Sequence, residues 1–166
     1  MDQLPEQLHM LALVTLAMAL GGLVGVEREI SDKPAGLRTH MLVAGGCCLI
    51  ALLGQSAFLN SGMNTGDPAR TLHGIVTGIG FLGAGAIIKG QNGRTEGLTT
   101  AASVLFVAVT GAAVAYEYWL LALGGTVLAI ATLAGVRAVE RFVLRRRGVV
   151  LVPRRRSTDF PDDEPV

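Results

Sequence analysis

Apolar residues fall into five long runs that are separated by short polar segments. The runs lie at about 8–26, 37–59, 68–88, 98–115 and 120–136. An apolar run of about 20 residues forms an α-helix that crosses a bilayer core of roughly 30 Å. The pattern therefore predicts an all-α fold, a polytopic transmembrane helical bundle with five spans.

The third run is rich in glycine and carries its own signals for a helix start. Asp67 suits the N-cap and Pro68 suits the first helical position. Glycines fall on two sides of this helix, and small residues let helices approach closely in lipid. We therefore expect the third span at the centre of the bundle. The predicted packing positions are Gly21 and Gly25 in the first span and Gly74, Gly78, Gly80, Gly83 and Gly85 in the third.

Composition supports the membrane assignment, with 51% hydrophobic residues and 22 glycines among 166 residues. The adjacent Cys47 and Cys48 lie in an apolar run, so we expect core residues and neither a metal site nor a disulfide. The polar lead 1–7 lacks Lys and Arg, which argues against a signal peptide. The predicted organisation is an extracytoplasmic lead 1–7, a membrane domain 8–144 and a disordered cytoplasmic tail 145–166.

Positive charges are distributed unevenly between the two predicted sides of the membrane. The first and third connectors and the tail carry 13 of the 14 Lys and Arg residues. The positive-inside rule then places the N-terminus outside and the C-terminus in the cytoplasm. Tyr116, Tyr118 and Trp119 fall at the outer end of spans four and five, where an interfacial aromatic belt is expected.

A weak internal repeat appears when the chain is compared with itself at a shift of 61 residues. A glycine, two basic residues and a GLxT motif recur: Gly22, Arg28, Lys33, Gly36, Leu37 and Thr39 correspond to Gly83, Lys89, Arg94, Gly97, Leu98 and Thr100. Each copy is a span, a connector and a span, which is the pattern of a parallel repeat with span five left over. Chance similarity in a glycine-rich chain is the alternative.

Ionisable residues at the ends of the spans are the candidates for function, because a charge at mid-bilayer costs on the order of 3 kcal/mol. The Glu27-Arg28-Glu29 cluster either faces solvent at the interface or meets the next helix. Asp67 and Arg70, one helical turn apart, form either a structural pair or a ligand contact. His40 and His73 are expected to be structural. The candidates are Glu27, Arg28, Glu29, Lys33, Arg38, Asp67, Arg70 and Arg94.

The residues form no pattern that is typical of catalysis, of a cofactor site or of a metal site. The run GIGFLG at 78–83 matches the dinucleotide fingerprint by its letters, but it lies inside a predicted span and not in a βαβ unit. The carboxylates of the first connector and Asp67 lie on opposite predicted sides, so they make neither an acid/base pair nor a magnesium cage. We therefore predict no enzyme activity, no cofactor and no nucleic-acid partner.

Five motifs together resemble the MgtC/SapB family of bacterial inner-membrane proteins. They are GGLVGVEREI, KPAGLRTHMLV, DPAR, GIGFLGAGAII and GLTTAAS, within residues 15–136. The family motifs map onto Glu27, Arg28, Glu29, Lys33, Pro34, Gly36, Leu37, Arg38 and Thr39, and then onto Asp67, Pro68, Arg70, Gly78, Gly80, Phe81, Gly83, Gly85, Gly97, Leu98 and Thr99. Longer members carry an ACT-like cytoplasmic domain, which the short tail here has no room for.

The resemblance implies a multi-pass protein of the inner membrane that is linked to magnesium homeostasis, to acid or intracellular stress and to virulence. It further implies action on other membrane proteins, such as the ATP synthase or cation pumps. Our hypothesis is a regulatory or interaction partner in the lipid bilayer. The alternative is a cation (Mg²⁺ or K⁺) transporter or channel component, and homo-oligomerisation is left open.

The charge distribution makes a topological prediction. Reporter fusions after Asn64 and Tyr118 should report an external position, and fusions after Gln91 and Ser157 a cytoplasmic one. Paired alkaline phosphatase and fluorescent-protein fusions measure this directly. A cytoplasmic signal at Asn64 would overturn the five-span arrangement.

Overall fold

The computed structural model describes residues 3–60, 68–89 and 95–146, and the side chains of 4–56, 68–87 and 95–135 within them. The chain forms five helices, which confirms the all-helical prediction. They are α1 (Gln3–Ile30), α2 (Leu37–Asn60), α3 (Pro68–Ala86), α4 (Leu98–Ala115) and α5 (Trp119–Arg146). Two short antiparallel strands, β1 (Ile88–Lys89) and β2 (Thr95–Glu96), pair between α3 and α4.

Helix α1 extends further at both ends than its apolar run. It begins at Gln3 and includes the Glu27-Arg28-Glu29 cluster in its last turns. The helix ends where Asp32 takes a left-handed conformation, with φ of 53°. The amide of Lys33 then bonds the carbonyl of Arg28 at 3.1 Å, which closes the turn. The cluster is therefore placed by helix geometry and not by a loop.

Helix α3 ends earlier than predicted because the chain turns into the small hairpin. Ile88 pairs with Glu96 and Lys89 with Thr95. Gly97 follows with φ of 90°, and a side chain there would collide with the carbonyl oxygen of Ala86. Only glycine tolerates both constraints, so Gly97 sets the point at which α4 begins.

The centre of the bundle is α4 and not α3, so the predicted central position of the third span is wrong. Helix α4 packs against each of the other four helices. It buries most of its length, including a continuous stretch at 110–115. Helix α3 buries only Ile75, Ile79 and Gly83, all on one face that is turned towards the bundle. A glycine-rich sequence permits close packing on several faces but does not require it.

Helices α1, α2 and α4 approach one another through glycines. A methyl group at Gly21 would lie 2.5 Å from the carbonyl oxygen of His40, and one at Gly25 would lie 2.7 Å from Cα of Leu37. A methyl group at Gly111 would collide with the backbone of Ala44. Backbone thus meets backbone at three places, which maximises van der Waals contact where lipid provides little hydrophobic drive.

The α3 glycines behave differently from those of α1 and α4. Gly83 lies against Ala101, whereas side chains added at Gly74, Gly78, Gly80 and Gly85 would meet no atom of the described chain within 4 Å. Phe81, on the outer face, is 81% exposed. A packing role for these four glycines remains a prediction that needs a neighbour beyond the described residues.

Three of the helices are long and apolar enough to cross a membrane. These are Leu4–Ile30, Leu37–Ser56 and Leu98–Ala115, and α5 contributes a shorter apolar stretch, Trp119–Gly135. The chain is therefore a multi-helix membrane protein that is embedded in a lipid bilayer. Helix α3 falls outside this group, because glycine contributes little hydropathy and the helix carries Arg70 and His73. Five spans and their orientation remain predictions.

The helix starts agree with the 61-residue shift. Helix α2 begins at Leu37 and α4 begins at Leu98. The first bond also corresponds, since the amide of His40 bonds the carbonyl of Gly36 at 3.2 Å and that of Ala101 bonds Gly97 at 2.8 Å. The copies differ in the connector: a turn precedes α2, and a hairpin precedes α4.

The backbone contacts predict opposite outcomes for two glycine substitutions. Gly111→Ala should destabilise the protein by about 1–3 kcal/mol, because the methyl group collides with the α2 backbone. Gly124→Ala should be neutral or stabilising by up to about 1 kcal/mol, since its site is open and alanine favours helix. Thermal unfolding in detergent measures both. Equal midpoints for the two variants would contradict the packing of α2 on α4.

Candidate functional site

The first connector, between α1 and α2, and the third, between α3 and α4, meet at one end of the bundle around a cavity of about 790 Å³. The turn after α1, the β2 strand and the first turn of α4 form most of its wall, and Thr132 and Leu133 of α5 complete it. Five residues with hydroxyl groups line it: Ser31, Thr95, Thr99, Thr100 and Thr132. The lining also holds two basic residues, Arg28 and Lys33, and two acidic residues, Asp32 and Glu96. The site therefore offers many hydrogen-bonding groups and both signs of charge.

Arg28 joins α1 to α4 beside this cavity. The residue is only 2% exposed, and its Nη2 donates to the hydroxyl of Thr100 at 3.2 Å. Nη1 lies 4.0 Å from Oε2 of Glu27. A buried guanidinium needs such partners, and breaking a buried ionic contact typically costs about 3–5 kcal/mol. Arg28 thus fixes the end of α1 against the start of α4.

Glu29 joins the same end of α1 to the start of α2. Its Oε2 accepts a hydrogen bond of 2.7 Å from the backbone amide of Leu37, the first residue of that helix. A carboxylate at a helix N-terminus satisfies an orphan amide and complements the helix dipole. Glu29 therefore acts as a distant cap that holds the intervening turn closed.

Glu27 completes the first connector. Its carboxylate accepts a hydrogen bond of 3.1 Å from the hydroxyl of Ser31, which also donates to the backbone carbonyl of Glu27. The hydroxyl thus ties the last turn of α1 to the start of the connector. Of the two alternatives for the acidic and basic cluster, the structure favours contact with neighbouring helices for Arg28 and Glu29.

A buried histidine links all three central helices. His40 on α2 is fully buried, and Nδ1 lies 2.8 Å from the carbonyl oxygen of Gly36. Nε2 lies 3.1 Å from the hydroxyl of Ser103 on α4. A methyl group at Gly25 of α1 would touch Cβ of His40. Both ring nitrogens are therefore engaged, which fits the structural role expected for this histidine.

The remaining candidates are divided between the two ends of the bundle. Lys33 lies at the cavity and is exposed, and Arg38 is exposed in the first turn of α2. Arg70 and His73 are exposed near the start of α3. That start lies at the far end, where Thr71 contacts Gly54 near the end of α2. Asp67 and Arg94 lie outside the described residues, so the Asp67–Arg70 pair remains a prediction.

Thr100 and Ser103 were missed by the sequence reasoning, although they hold Arg28 and His40. Both are buried, and Ser103 also donates to the carbonyl of Thr100 at 2.8 Å. A signal for them was present in the spacing: two hydroxyl side chains three residues apart share one face of an otherwise apolar helix. Within the described part of the chain, no group of three His, Cys, Asp or Glu side chains is arranged to hold a metal ion.

These features define a class: a multi-pass helical membrane protein whose polar contacts are concentrated where two connectors meet. Residues 14–142 match the MgtC family. The chain belongs to this bacterial family of membrane proteins, as the resemblance implied.

Relatives differ in how much of their length the match covers. Protein SrpB of Synechococcus elongatus is 35% identical over 162 residues, which is 90% of this chain and 87% of that protein. The protein named "Putative magnesium transporter YhiD" of Escherichia coli K12 is 36% identical over 124 residues, 73% of this chain and 57% of its own length. Protein MgtC of Brucella abortus is 41% identical over 105 residues, 62% of this chain and 41% of its own length. No solved structure matches the chain.

The contacts of His40 predict which ring nitrogen carries the proton. A carbonyl oxygen only accepts, so Nδ1 must donate to Gly36. Nε2 of the neutral ring then accepts from Ser103, whose single hydroxyl proton is shared between Nε2 and the Thr100 carbonyl. Nitrogen NMR of labelled histidine should show the Nδ1–H tautomer for His40, identified by its loss in His40→Gln. His9 and His73, both exposed, serve as references in the same spectrum. A proton on Nε2 in the neutral ring would contradict this geometry.

Proposed function

We propose that the protein is a regulatory or interaction partner of other proteins in the bacterial cytoplasmic membrane, and that it docks them at the connector end. The observation that carries this proposal is the meeting of both connectors around one polar cavity. The setting that we propose, magnesium limitation or acid or intracellular stress, rests on the family resemblance alone.

The rigidity of the connector end supports a docking role. Arg28 holds α1 to α4, and Glu29 holds the first connector to α2. A surface that is already ordered loses less conformational entropy when a partner binds. Lys33, which is exposed between these anchors, can set the specificity of docking without disturbing them.

The predicted topology places this surface on the cytoplasmic side of the membrane. The basic residues of both connectors and of the tail would then share one compartment. The alternative is a purely topological role, in which these basic residues only set the orientation of the chain in the membrane.

A second candidate function is transport of a cation, and the name of the relative YhiD, "Putative magnesium transporter", favours it. Magnesium normally takes six oxygen ligands in near-octahedral geometry and keeps several of its waters. The hydroxyl and carboxylate oxygens of the connector cavity are the groups that a hydrated cation would meet first. Transport requires a path through the bundle, whereas docking does not.

Charge removal at the cavity separates docking from orientation. Lys33→Gln should abolish complementation of growth at low magnesium, because it removes a charge from the proposed docking surface. The protein should stay inserted and correctly oriented, because an exposed lysine supports no buried contact. Arg156→Gln, which removes one positive charge from the tail on the same predicted side, should complement normally. Full complementation by Lys33→Gln would contradict docking at this surface.

Flux measurements separate the two functions. Purified protein in liposomes should pass no more magnesium or potassium than empty vesicles if it is a docking partner. Flux above that background, lost in Lys33→Gln and retained in Arg156→Gln, would replace the docking proposal with the transporter.

A further inference from the structure

A second cavity, of about 400 Å³, lies at the end of the bundle opposite the connectors. The first turns of α1, the last turns of α2 and the turn after α4 surround it. Its lining is divided by chemistry: the buried Leu13, Leu52 and Ala115 form an apolar floor, and polar side chains form the rim. A pocket of this size with this division is typical of a small organic ligand and larger than a single metal ion requires.

The charged groups of this second cavity are acidic apart from one histidine. Glu6 and Glu117 lie on the rim, and neither Lys nor Arg is among the lining residues. Arg70, in the first turn of α3, is the described basic residue at this end of the bundle, and it is not part of the lining. The carboxyl end of α4 also points its negative dipole towards this end of the bundle. The electrostatic environment therefore selects a cation.

One polar atom of the lining is buried without a hydrogen bond. The hydroxyl of Tyr116 is inaccessible to solvent and has no hydrogen-bond partner among the described residues. Burial raises the pKa of this hydroxyl, so it remains protonated and available as donor or acceptor. Unsatisfied buried hydroxyls are rare, and Tyr116 lines this cavity, so a ligand that reaches the hydroxyl by a small turn of the ring would satisfy it.

Glu117 is held in position for such a partner. It lies in the turn after α4 with a left-handed φ of 60°. Its Oε1 lies 3.2 Å from Nε2 of His9, which ties the turn to the first helix. The contact with His9 leaves most of the acceptor capacity of this carboxylate available, and Glu6 lines the same cavity.

We propose that this second cavity binds an alkylammonium group. The ammonium would bond to Glu117 and Glu6, the Tyr116 hydroxyl and ring would contact its polar end, and the apolar floor would hold its carbon chain. The group can come from a free amine or from the ethanolamine headgroup of a membrane lipid. Both sources share this chemistry, and Tyr118 and Trp119 place the cavity at the depth where headgroups lie.

The test uses the full-length protein at pH 8 in a non-ionic maltoside detergent, with n-butylammonium as the probe and 1-butanol as its neutral counterpart. Trp119 is the only tryptophan and lies three positions from Tyr116, so its fluorescence reports binding. We expect a saturable change with n-butylammonium and none with 1-butanol. Equal responses to the two probes, or no saturation, would overturn the proposal.

Two variants separate binding from folding. Glu117→Gln should weaken n-butylammonium binding about tenfold, because a charge-assisted hydrogen bond is lost. Tyr116→Phe should weaken it about fivefold yet leave the thermal midpoint without amine unchanged, since the hydroxyl supports no contact in the free protein. The neighbouring Gln7→Ala should bind normally. Wild-type affinity in Glu117→Gln would overturn the proposal.

Nanodiscs distinguish the two sources of the ammonium group. All binding is measured in about 0.5 M salt, which screens the negative surface charge of phosphatidylglycerol. In phosphatidylglycerol discs, which offer no ammonium, n-butylammonium should then bind as in detergent. If the lipid headgroup is the occupant, phosphatidylethanolamine discs should weaken that binding by competition. If a free amine is the occupant, the two kinds of disc should give equal affinities. Absence of binding in detergent and in phosphatidylglycerol discs would overturn the proposal in both forms.

Discussion

Backbone contact between α1, α2 and α4 is the constraint on which the other features depend. Gly21, Gly25 and Gly111 leave so little space that a methyl group at any of them would meet the backbone of α2. In lipid, where apolar side chains gain little by leaving the solvent, such contact supplies much of the association energy. The buried polar contacts of His40 and Arg28 form only because the helices approach this closely. The polar network therefore depends on the glycine packing.

The sequence predicts the local structure more completely than the arrangement of the helices. The apolar runs predicted five helices, and the bounds of α4 agree with its run because Gly97 starts it. The predicted central position of α3 was wrong, because the frequency of glycine shows where a neighbouring helix can approach and not whether one does. Helix α4, with fewer glycines, is central because Ala, Val and Thr residues also permit close packing on several faces. Pairing of helices depends on contacts distant in sequence, which a periodicity does not contain.

Some residues of the candidate site could be chosen from the sequence, and others could not because their role depends on how the helices pair. Glu27, Arg28, Glu29 and Lys33 were found because charges at the end of an apolar run are conspicuous. Thr100 and Ser103 were not, because a hydroxyl side chain in a membrane helix usually bonds its own backbone. Thr110 and Thr126 do so, at 3.0 and 2.8 Å. Only the position of α4 beside α1 and α2 shows that Thr100 and Ser103 also serve another helix.

Helices α1 and α4 line the cavities at both ends of the bundle, so the same two helices connect the two cavities. Arg28 and Thr100 lie at the connector cavity, while Leu13 and Ala115 lie on the floor of the other. Both helices contact the α2 backbone through their glycines, so neither can shift without displacing α2. A ligand at either cavity therefore acts on a bundle that resists local adjustment. Exposed side chains in the first connector and in the turn after α4 lie outside the close-packed region, so specificity for partners can depend on them without disturbing the helix contacts.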